Sequence, residues 1–273
     1  MLLLAAGACA TPVEAPPPAE VGVVRVPLTL EGGMPWVEAK IGGRPVRLLL
    51  DLGGFDAVAL IPDELKEIQV TWTGKSRTTF SAMGEAATAR EYVLPEVDLG
   101  GILFPEVKGY EDLLHGKNRA VARAGYLGLG ILRRFRIVID YPARQLVLIW
   151  PDAPTPEPYD VQDWPTVECE ASKDGVVARA KVNGIDRLFV WDTGATHCVL
   201  KTGLEGAAPV RQIEGHPFAA VASFSLVNEE FGPLDFALLD FKMPKADGFV
   251  GYTFFAKHAV YVDFKDRLLA VKP

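Results

Sequence analysis

Cysteine and histidine are scarce in this chain, and neither residue type clusters. The 273 residues include three cysteines and four histidines, which are Cys9, Cys169, Cys198, His115, His197, His216 and His258. Sites for zinc and related metals need several such side chains at close sequence spacing. The sequence therefore predicts neither a metal centre nor a bound cofactor.

Basic residues are outnumbered by acids and form no positive stripe. The chain has 28 Lys and Arg residues against 35 Asp and Glu residues, which gives a formal net charge of −7 at pH 7. Binding to a phosphate backbone requires a concentrated patch of positive charge. Nucleic acid is therefore not expected as a partner.

The apolar N-terminus is too short to cross a bilayer. Residues Met1–Cys9 instead end in small residues before a cysteine and resemble the end of a bacterial lipoprotein signal. The proline-rich residues Thr11–Glu20 are typical of an extended tether. We expect residues 1–20 to form this signal-like segment and tether, and the protein to be exported to the periplasm or anchored in the cell envelope by lipid on Cys9. A frayed apolar N-terminus is the alternative.

Two further cysteines remain if Cys9 carries a lipid. Cys169 and Cys198 could form a disulfide in an oxidising compartment, or both could be buried thiols. The sequence leaves this choice open.

Glycine and proline are abundant, at 26 and 21 residues, in a chain that is 49% hydrophobic and 23% charged. These values are typical of a globular protein with many turns. Many short strands therefore fit the composition better than long helices. The length allows one large domain or two smaller ones.

The chain contains an internal duplication. Residues Ile41–Asp51 align without gaps on Val182–Asp192, at an offset of 141 residues. Each segment reads as a strand, a tight turn, a second strand and an aspartate. A repeat of this kind predicts two similar structural units related by a pseudo-twofold axis.

A second pair of blocks follows each aspartate in the same order. Ala124–Gly128 matches Asp247–Gly251, and strand-like runs then lead to Asp140 in one copy and Asp263 in the other. Short helical turns are expected at 129–134 and 252–257. Asp140 and Asp263 precede aromatic residues and tight turns, so we interpret them as turn residues rather than catalysts.

The segment between the two copies is rich in proline. Residues 151–164 contain prolines at 151, 154, 156 and 158, which break regular structure. We therefore expect an N-terminal lobe at 21–150, a linker at 151–164 and a C-terminal lobe at 165–273.

The repeated aspartates stand where a carboxylate pair could form. Asp51 and Asp192 each end an apolar strand and precede a loop containing glycine, which allows backbone N–H groups to approach the acid. Two carboxylates in close contact cannot both ionise cheaply, so the pair retains one proton. Such a pair can act as acid and base together, as peptide hydrolysis requires.

These blocks resemble aspartic peptidases of the pepsin and retropepsin type, especially bacterial retropepsin-like proteins, in a tandem two-lobe form. In that family Asp-Thr-Gly carries the catalytic acid, and a later apolar-apolar-Gly segment packs behind it. The resemblance implies an all-β fold of two closed-barrel lobes, related by a pseudo-twofold axis, with a central cleft. It also implies catalytic Asp51 and Asp192, with supporting motif residues Gly53, Thr193, Gly194, Gly128 and Gly251.

The first copy departs from the family pattern. Leu52 replaces a threonine or serine whose hydroxyl bonds across to the opposite loop, so half of that brace should be missing, at a cost on the order of 1 kcal/mol. Gly54 and Ala195 stand where pepsin-like enzymes often carry another hydroxyl. With fewer donors to the carboxylates, we expect a mildly acidic to near-neutral optimum.

Loops between each motif and its later glycine block are candidates for flaps over the cleft. Thr73–Arg90 is the first candidate, with Phe80 or Met83 overhanging the cleft, and Ala219–Ser225 is the second. An ordinary mobile surface loop is the alternative for each. His197 is expected to be structural, because this mechanism needs no histidine.

The sequence favours an aspartic endopeptidase that acts on peptides or proteins as a monomer, since both acids are present in one chain. Leu52 and Gly54 favour an alternative, a weak or inactive relative that binds extended peptides by strand addition. Hydrolysis of a non-protein amide, such as a cell-wall peptide, is a third interpretation that the sequence does not separate from the first.

Overall fold

The computed structural model describes residues 21–114, 124–205, 211–213, 215–243 and 245–273. The signal-like segment with Cys9 lies outside these ranges. Within the described part of the chain, no helix is long and apolar enough to span a membrane.

Strands dominate both halves of the chain, and each half carries only short helices. The first half contains β1 (Val23–Pro27), β2 (Thr29–Glu31), β3 (Met34–Ile41), β4 (Arg44–Leu50), β5 (Val58–Leu60), α1 (Glu64–Glu67), β6 (Thr71–Phe80), β7 (Ala86–Leu99), β8 (Ile102–Glu111), β9 (Gly125–Leu127), α2 (Leu129–Leu132), β10 (Arg136–Asp140) and β11 (Gln145–Ile149). A 3₁₀ turn at Val161–Asp163 follows.

The second half repeats the arrangement with shorter strands. It contains β12 (Thr166–Ser172), β13 (Gly175–Val182), β14 (Ile185–Trp191), β15 (Cys198–Lys201), β16 (Arg211–Ile213), β17 (His216–Val221), β18 (Phe224–Leu226), β19 (Glu229–Glu230), β20 (Leu234–Leu239), β21 (Gly248–Val250), α3 (Tyr252–Phe255), β22 (Val260–Asp263) and β23 (Leu268–Val271). The all-β, two-lobed prediction is confirmed.

The repeated strand-turn-strand unit forms a tight hairpin in each lobe. Its turns are Gly42-Gly43 and Asn183-Gly184, and all four residues have positive φ. Two-residue loops with this backbone match the twist of antiparallel strands. The hairpins β3–β4 and β13–β14 therefore form in the same way, and each delivers an aspartate at the end of its second strand.

The later glycine block packs beside that strand in both lobes. β4 runs parallel to β9, and β14 runs parallel to β21. The Asp51 N–H donates to the Leu127 carbonyl, and the Asp192 N–H donates to the Val250 carbonyl, both at 2.9 Å. The repeat found in the sequence therefore corresponds to a repeated pattern of backbone hydrogen bonds.

A sheet continuous through backbone hydrogen bonds joins the two lobes. β10 pairs antiparallel with β22, so that Ile137 lies opposite Val262, and both side chains are buried. β11 and β23 flank this pair, and β1 adds to the edge at β11. The repeated acids Asp140 and Asp263 end these strands and accept backbone N–H groups of the following turns, as predicted for turn residues.

The segment between the copies packs against the outer face of this sheet. Tyr159 is fully buried there, and its hydroxyl donates to Asp140 Oδ2 at 2.9 Å. Trp164 lies against the Tyr159 ring with the ring centroids 6.3 Å apart. The proline-rich segment is therefore fixed on the sheet rather than extended into solvent.

An aromatic cluster lies beneath the strand that carries Asp192. Phe254 and Phe255 contact Trp191 edge to face, with centroids 5.4 and 6.2 Å away, and Phe224 packs on Phe254. All four rings are buried. Cys169 and Cys198 are also buried in the core and are free thiols, so they do not form a disulfide.

Phe254→Ala should lower the free energy of unfolding by about 3–5 kcal/mol, because it opens a cavity under the Asp192 strand. Urea denaturation with a fluorescence readout measures the change. Phe80→Ala removes the same atoms from a ring that is 67% exposed, and should change stability by less than about 1 kcal/mol. Equal losses in the two variants would contradict the assigned core.

Candidate active site

Asp51 and Asp192 meet where the two lobes face each other. Asp51 is buried and Asp192 is partly buried. Their carboxyl groups lie close enough for each to shift the pKa of the other. The structure therefore brings together the two acids that the sequence places at equivalent positions.

Thr193 braces the dyad from one lobe to the other. Its Oγ1 accepts a hydrogen bond from the Leu52 N–H at 3.0 Å and donates to the Leu50 carbonyl at 2.6 Å. Thr193 is fully buried, so these two bonds are shielded from water. They fix the backbone immediately before and after Asp51 relative to the loop that carries Asp192.

Leu52 supplies no equivalent bond in the opposite direction. Its side chain is fully buried and belongs to the main hydrophobic core. Its backbone carbonyl instead accepts the Val176 N–H at 3.2 Å. The side chain at position 52 thus contributes packing where the one at position 193 contributes hydrogen bonds.

The motif glycines allow the two loops to touch. A Cβ atom on Gly53 would lie 2.9 Å from the carboxyl carbon of Asp192, and one on Gly194 would lie 3.2 Å from Asp51 Oδ1. Behind the loops, a Cβ on Gly128 would lie 2.4 Å from the Gly54 carbonyl oxygen, and one on Gly251 would lie 2.3 Å from that of His197. Side chains at these positions would push the acids apart.

Tyr126 occupies the space that a side chain at position 54 would need. A Cβ on Gly54 would lie 2.5 Å from a ring carbon of Tyr126 and 3.1 Å from Asp51 Oδ2. The Tyr126 hydroxyl donates to Asp56 Oδ2 at 2.9 Å. A hydroxyl-bearing side chain at position 54 would therefore collide with the Tyr126 ring, which lies beside Asp51.

Backbone N–H groups of the adjoining loop support each acid. Asp51 Oδ1 accepts the Gly53 and Gly54 N–H groups at 2.8 and 3.0 Å. Asp192 Oδ1 accepts the Gly194 N–H at 2.7 Å, and the Ala195 N–H also lowers the pKa of Asp192. Hydrogen bonds from N–H groups stabilise the ionised form of a carboxyl group and so lower its pKa.

Burial raises the pKa of both acids, and the raise is larger for Asp192. The pKa of Asp51 is raised by burial and partly brought back by the Gly53 N–H, the bond to Asp192 and the Gly54 N–H. The pKa of Asp192 is raised well above its usual range by burial and then by the negative charge of Asp51. The larger raise favours Asp192 as the protonated member of the pair.

A cavity of about 340 Å³ lies above the dyad. Its walls come from the Asp51 loop, the hairpin β6–β7, the turn between β12 and β13, and the strands around Asp192. The lining residues are Asp51, Gly53, Gly54, Phe55, Asp56, Arg77, Thr79, Phe80, Ser81, Ala82, Gly84, Tyr126, Lys173, Asp174, Val190, Asp192, Lys242, Met243 and Phe249. The cavity is at the lower end of the usual size range for ligand sites.

The hairpin β6–β7, called here the flap hairpin, covers this cavity. The Lys242 N–H of the C-terminal lobe donates to the Ala82 carbonyl at the hairpin tip at 2.8 Å. Gly84 has φ +87°, and a Cβ there would lie 2.9 Å from Lys242 Cγ. Phe80 lines the cavity, whereas Met83 is exposed and is not among the lining residues.

The second flap candidate has a different position. Residues 219–225 are not among the residues that line the cavity. They form the end of β17, a turn and the start of β18, which pairs with β13 through Val182 and Phe224. The flap-like cover is therefore contributed by the N-terminal lobe.

Other sequence candidates lie outside the reacting centre. His197 is exposed, contacts Thr196 Oγ1 and packs against Phe218. Among the described residues, no group of three or more His, Cys, Asp or Glu side chains is arranged to hold a metal ion.

Sequence reasoning did not identify Asp56, Arg77 and Lys173 as part of the site. All three line the cavity together with the dyad. Asp56 and Arg77 form an ion pair at 2.5 Å that joins the Asp51 loop to the flap hairpin. The residues are 21 positions apart, so no local pattern marks the pair.

Comparisons with solved structures show the same fold in known proteins. The chain matches an aspartic proteinase from Irpex lacteus at a TM-score of 0.62 and 12% identity, over 91% of this chain and 96% of that chain. It matches basic 7S globulin from soybean at a TM-score of 0.60 and 12% identity, over 92% and 95%. Neither protein-family models nor curated protein sequences give a match.

These likenesses define the fold class as that of the pepsin-like aspartic proteinases. One of the two neighbours is named as a proteinase and the other as a globulin. At 12% identity these likenesses show the architecture and not the chemistry.

Thr193→Val should lower the free energy of unfolding by about 2 kcal/mol or more, because it leaves the Leu52 N–H and the Leu50 carbonyl buried without their partner. Chemical denaturation measures the loss. Thr193→Ser should retain most of the stability, and Thr196→Val, at a hydroxyl that contacts the exposed His197, should be close to neutral. A neutral Thr193→Val would show that the brace carries no stability.

Asp192→Asn should stabilise the fold more at neutral than at acidic pH. The folded chain holds the Asp192 proton more tightly than the unfolded chain does. This stabilisation is therefore complete below the ordinary aspartate pKa of 3.8, and it is lost as the pH rises through the raised pKa. Asparagine cannot ionise, so the gain in melting temperature should grow between about pH 4 and pH 7.

The matched control for this series is Asp152→Asn, at a side chain that is 97% exposed and outside the cavity. It should leave the pH dependence of the melting temperature as in the parent chain. A gain for Asp192→Asn of the same size at both pH values would contradict the raised pKa.

Proposed function

We propose that this protein is an aspartic endopeptidase in which Asp51 and Asp192 hydrolyse peptide bonds with a water molecule. The observation that carries the proposal is the dyad itself. It consists of two neighbouring carboxyls, both with raised pKa values, at the base of a covered cleft. Such a pair holds a base and an acid side by side.

Each carboxyl has a distinct role in the proposed reaction. Asp51, the ionised partner, removes a proton from water as the water oxygen attacks the peptide carbonyl carbon. Asp192 donates its proton to the carbonyl oxygen, which gives a tetrahedral diol. Collapse of the diol breaks the C–N bond, the amine nitrogen receives a proton from the dyad, and no covalent intermediate forms.

From this chain's motifs we further propose that it is a tandem, retropepsin-like aspartic peptidase, with lobes at 21–150 and 165–273. Asp192-Thr193-Gly194 and Phe249-Val250-Gly251 support this assignment in one lobe, and Asp51 with Gly53 and Gly128 supports it in the other. A monomer follows because one chain provides both acids. Export with lipid on Cys9 is proposed from the sequence of residues 1–20 alone.

A second candidate function is the binding of extended peptides without efficient cleavage. Leu52 lacks the hydroxyl that would complete the brace, and the Tyr126 ring fills the space beside Gly54. Both features change the surroundings of Asp51. They favour a protein that keeps the cleft but positions the dyad less rigidly.

Cleavage of a mixed library of denatured proteins, read by mass spectrometry from about pH 3 to 8, tests the proposal. The parent chain should cleave with a mildly acidic to near-neutral optimum, because burial raises the pKa of both carboxyls. Asp51→Asn and Asp192→Asn should each reduce kcat/KM by about a thousandfold or more. Asp152→Asn should cleave like the parent chain.

Two results would contradict the proposal. An optimum near about pH 2 to 3 would show that the raised pKa values do not govern activity. Absence of cleavage by the folded parent chain, together with peptide binding that survives both Asn substitutions, would identify the binding function instead.

A further inference from the structure

The inward face of the flap hairpin carries a positively charged side chain. Arg77 lies on β6, its side chain is 35% exposed, and it lines the same cavity as Asp51 and Asp192. Thr79 and Ser81 line the cavity beside it. The roof of the cleft is therefore polar and cationic along this stretch.

The Arg77 guanidinium is held in place from two sides. Its Nη2 donates to Asp56 Oδ2 at 2.5 Å, and its central carbon lies 3.8 Å from the centroid of the Tyr110 ring. Asp56 is itself buried and accepts the Tyr126 hydroxyl. The guanidinium is thus fixed by a buried counter-ion and an aromatic face rather than free to move in solvent.

Most of the donor capacity of this group is unused. A guanidinium has five N–H donors in a planar fork, and Arg77 makes one hydrogen bond to the described residues, through Nη2. The remaining donors match the geometry of a second carboxylate. Asp56 therefore orients the guanidinium and leaves most of its N–H donors for a ligand.

A second cation borders the cavity from the opposite lobe. Lys173 is exposed in the turn between β12 and β13 and lines the cavity. No carboxylate among the described residues lies within ion-pair distance of its ammonium group. The same turn lies against the dyad loop, because a Cβ on Gly175 would be 3.0 Å from the Gly53 Cα.

These cations are not a consequence of overall composition. The chain carries a formal net charge of −7, yet Arg77, Lys173 and Lys242 all border one cavity. Lys242 has its own partner, Asp240, at 3.2 Å. Arg77 and Lys173 are therefore the two cations at this cavity that keep N–H donors for binding an anion.

We propose that the cleft contains a carboxylate-binding subsite in which Arg77 is the specificity-determining residue. The ligand is a carboxylate of the bound peptide, either an Asp or Glu side chain near the scissile bond or the terminal α-carboxylate. Lys173 adds attraction at the rim of the subsite. This inference rests on the proposed function for its catalytic readout, and its binding readout is independent of cleavage.

The test uses peptides that are cleaved by the parent chain and differ at one position by Glu or Gln, with either a free or an amidated C-terminus. The Glu peptide should have a kcat/KM about tenfold or more above its Gln partner at the favoured position. Arg77→Gln should reduce this ratio to near one, and Arg77→Lys should retain part of it because the charge stays but the planar fork is lost. If the free C-terminus alone gives the preference, the ligand is the α-carboxylate.

Lys257→Gln is the matched control, since Lys257 is exposed and outside the cavity, and it should leave the ratio unchanged. If Arg77 had only a structural role, its substitution would lower kcat/KM equally for Glu and Gln peptides. An unchanged Glu-to-Gln ratio of kcat/KM in Arg77→Gln would overturn the inference. The same peptides are titrated against Asp192→Asn with fluorescence anisotropy. If the Glu peptides bind more tightly but the parent chain cleaves none of them, the subsite is supported and the proposed catalysis is refuted. If the parent chain cleaves both peptides without preference, the proposed catalysis is supported and the subsite is refuted.

Discussion

The geometry of the dyad depends on one buried hydroxyl. Thr193 Oγ1 bonds to the backbone on both sides of Asp51 and so ties the two loops that carry the acids together across the pseudo-twofold axis. The close approach of the loops, with no room for a side chain at Gly53 or Gly194, follows from this tie. Burial of the carboxyls follows from the close approach, and their raised pKa values follow from the burial.

The two lobes have diverged most where they contribute to the cleft. Their strand pairing is similar, but among the described residues it is the N-terminal lobe that supplies a long flap hairpin, Leu52 in place of a hydroxyl, and Tyr126 beside Gly54. A perfectly symmetric pair would have two equal acids. In this pair, the negative charge of Asp51 adds to the effect of burial and raises the pKa of Asp192 further above its usual range than that of Asp51.

Much of the fold could be predicted because the duplication is recorded in sequence order. Matching hairpins, acids and glycine blocks located Asp51 and Asp192, and the resemblance to aspartic peptidases supplied the two-lobed, all-β architecture. The contacts of Tyr126 with Gly54, of Arg77 with Asp56 and of Ala82 with Lys242 could not be predicted in the same way. They join residues that are distant in the chain and that the repeat does not mark, so neither spacing nor repetition reveals them. The unpaired state of Cys169 and Cys198 likewise depends on where the folded core places each thiol.

The pairing of β10 with β22 has a consequence for how the two halves can exist. The paired residues are almost entirely buried, and their backbones hydrogen-bond to each other. They are Ile137, Val138 and Ile139 on β10 and Val260 to Val262 on β22. Separated from its partner, either half would present an unpaired, apolar sheet edge to solvent. Such an edge is complementary to a copy of itself, because the two halves share one plan. A severed half would therefore dimerise or aggregate, whereas in the intact chain the edge of each half is paired with the other half.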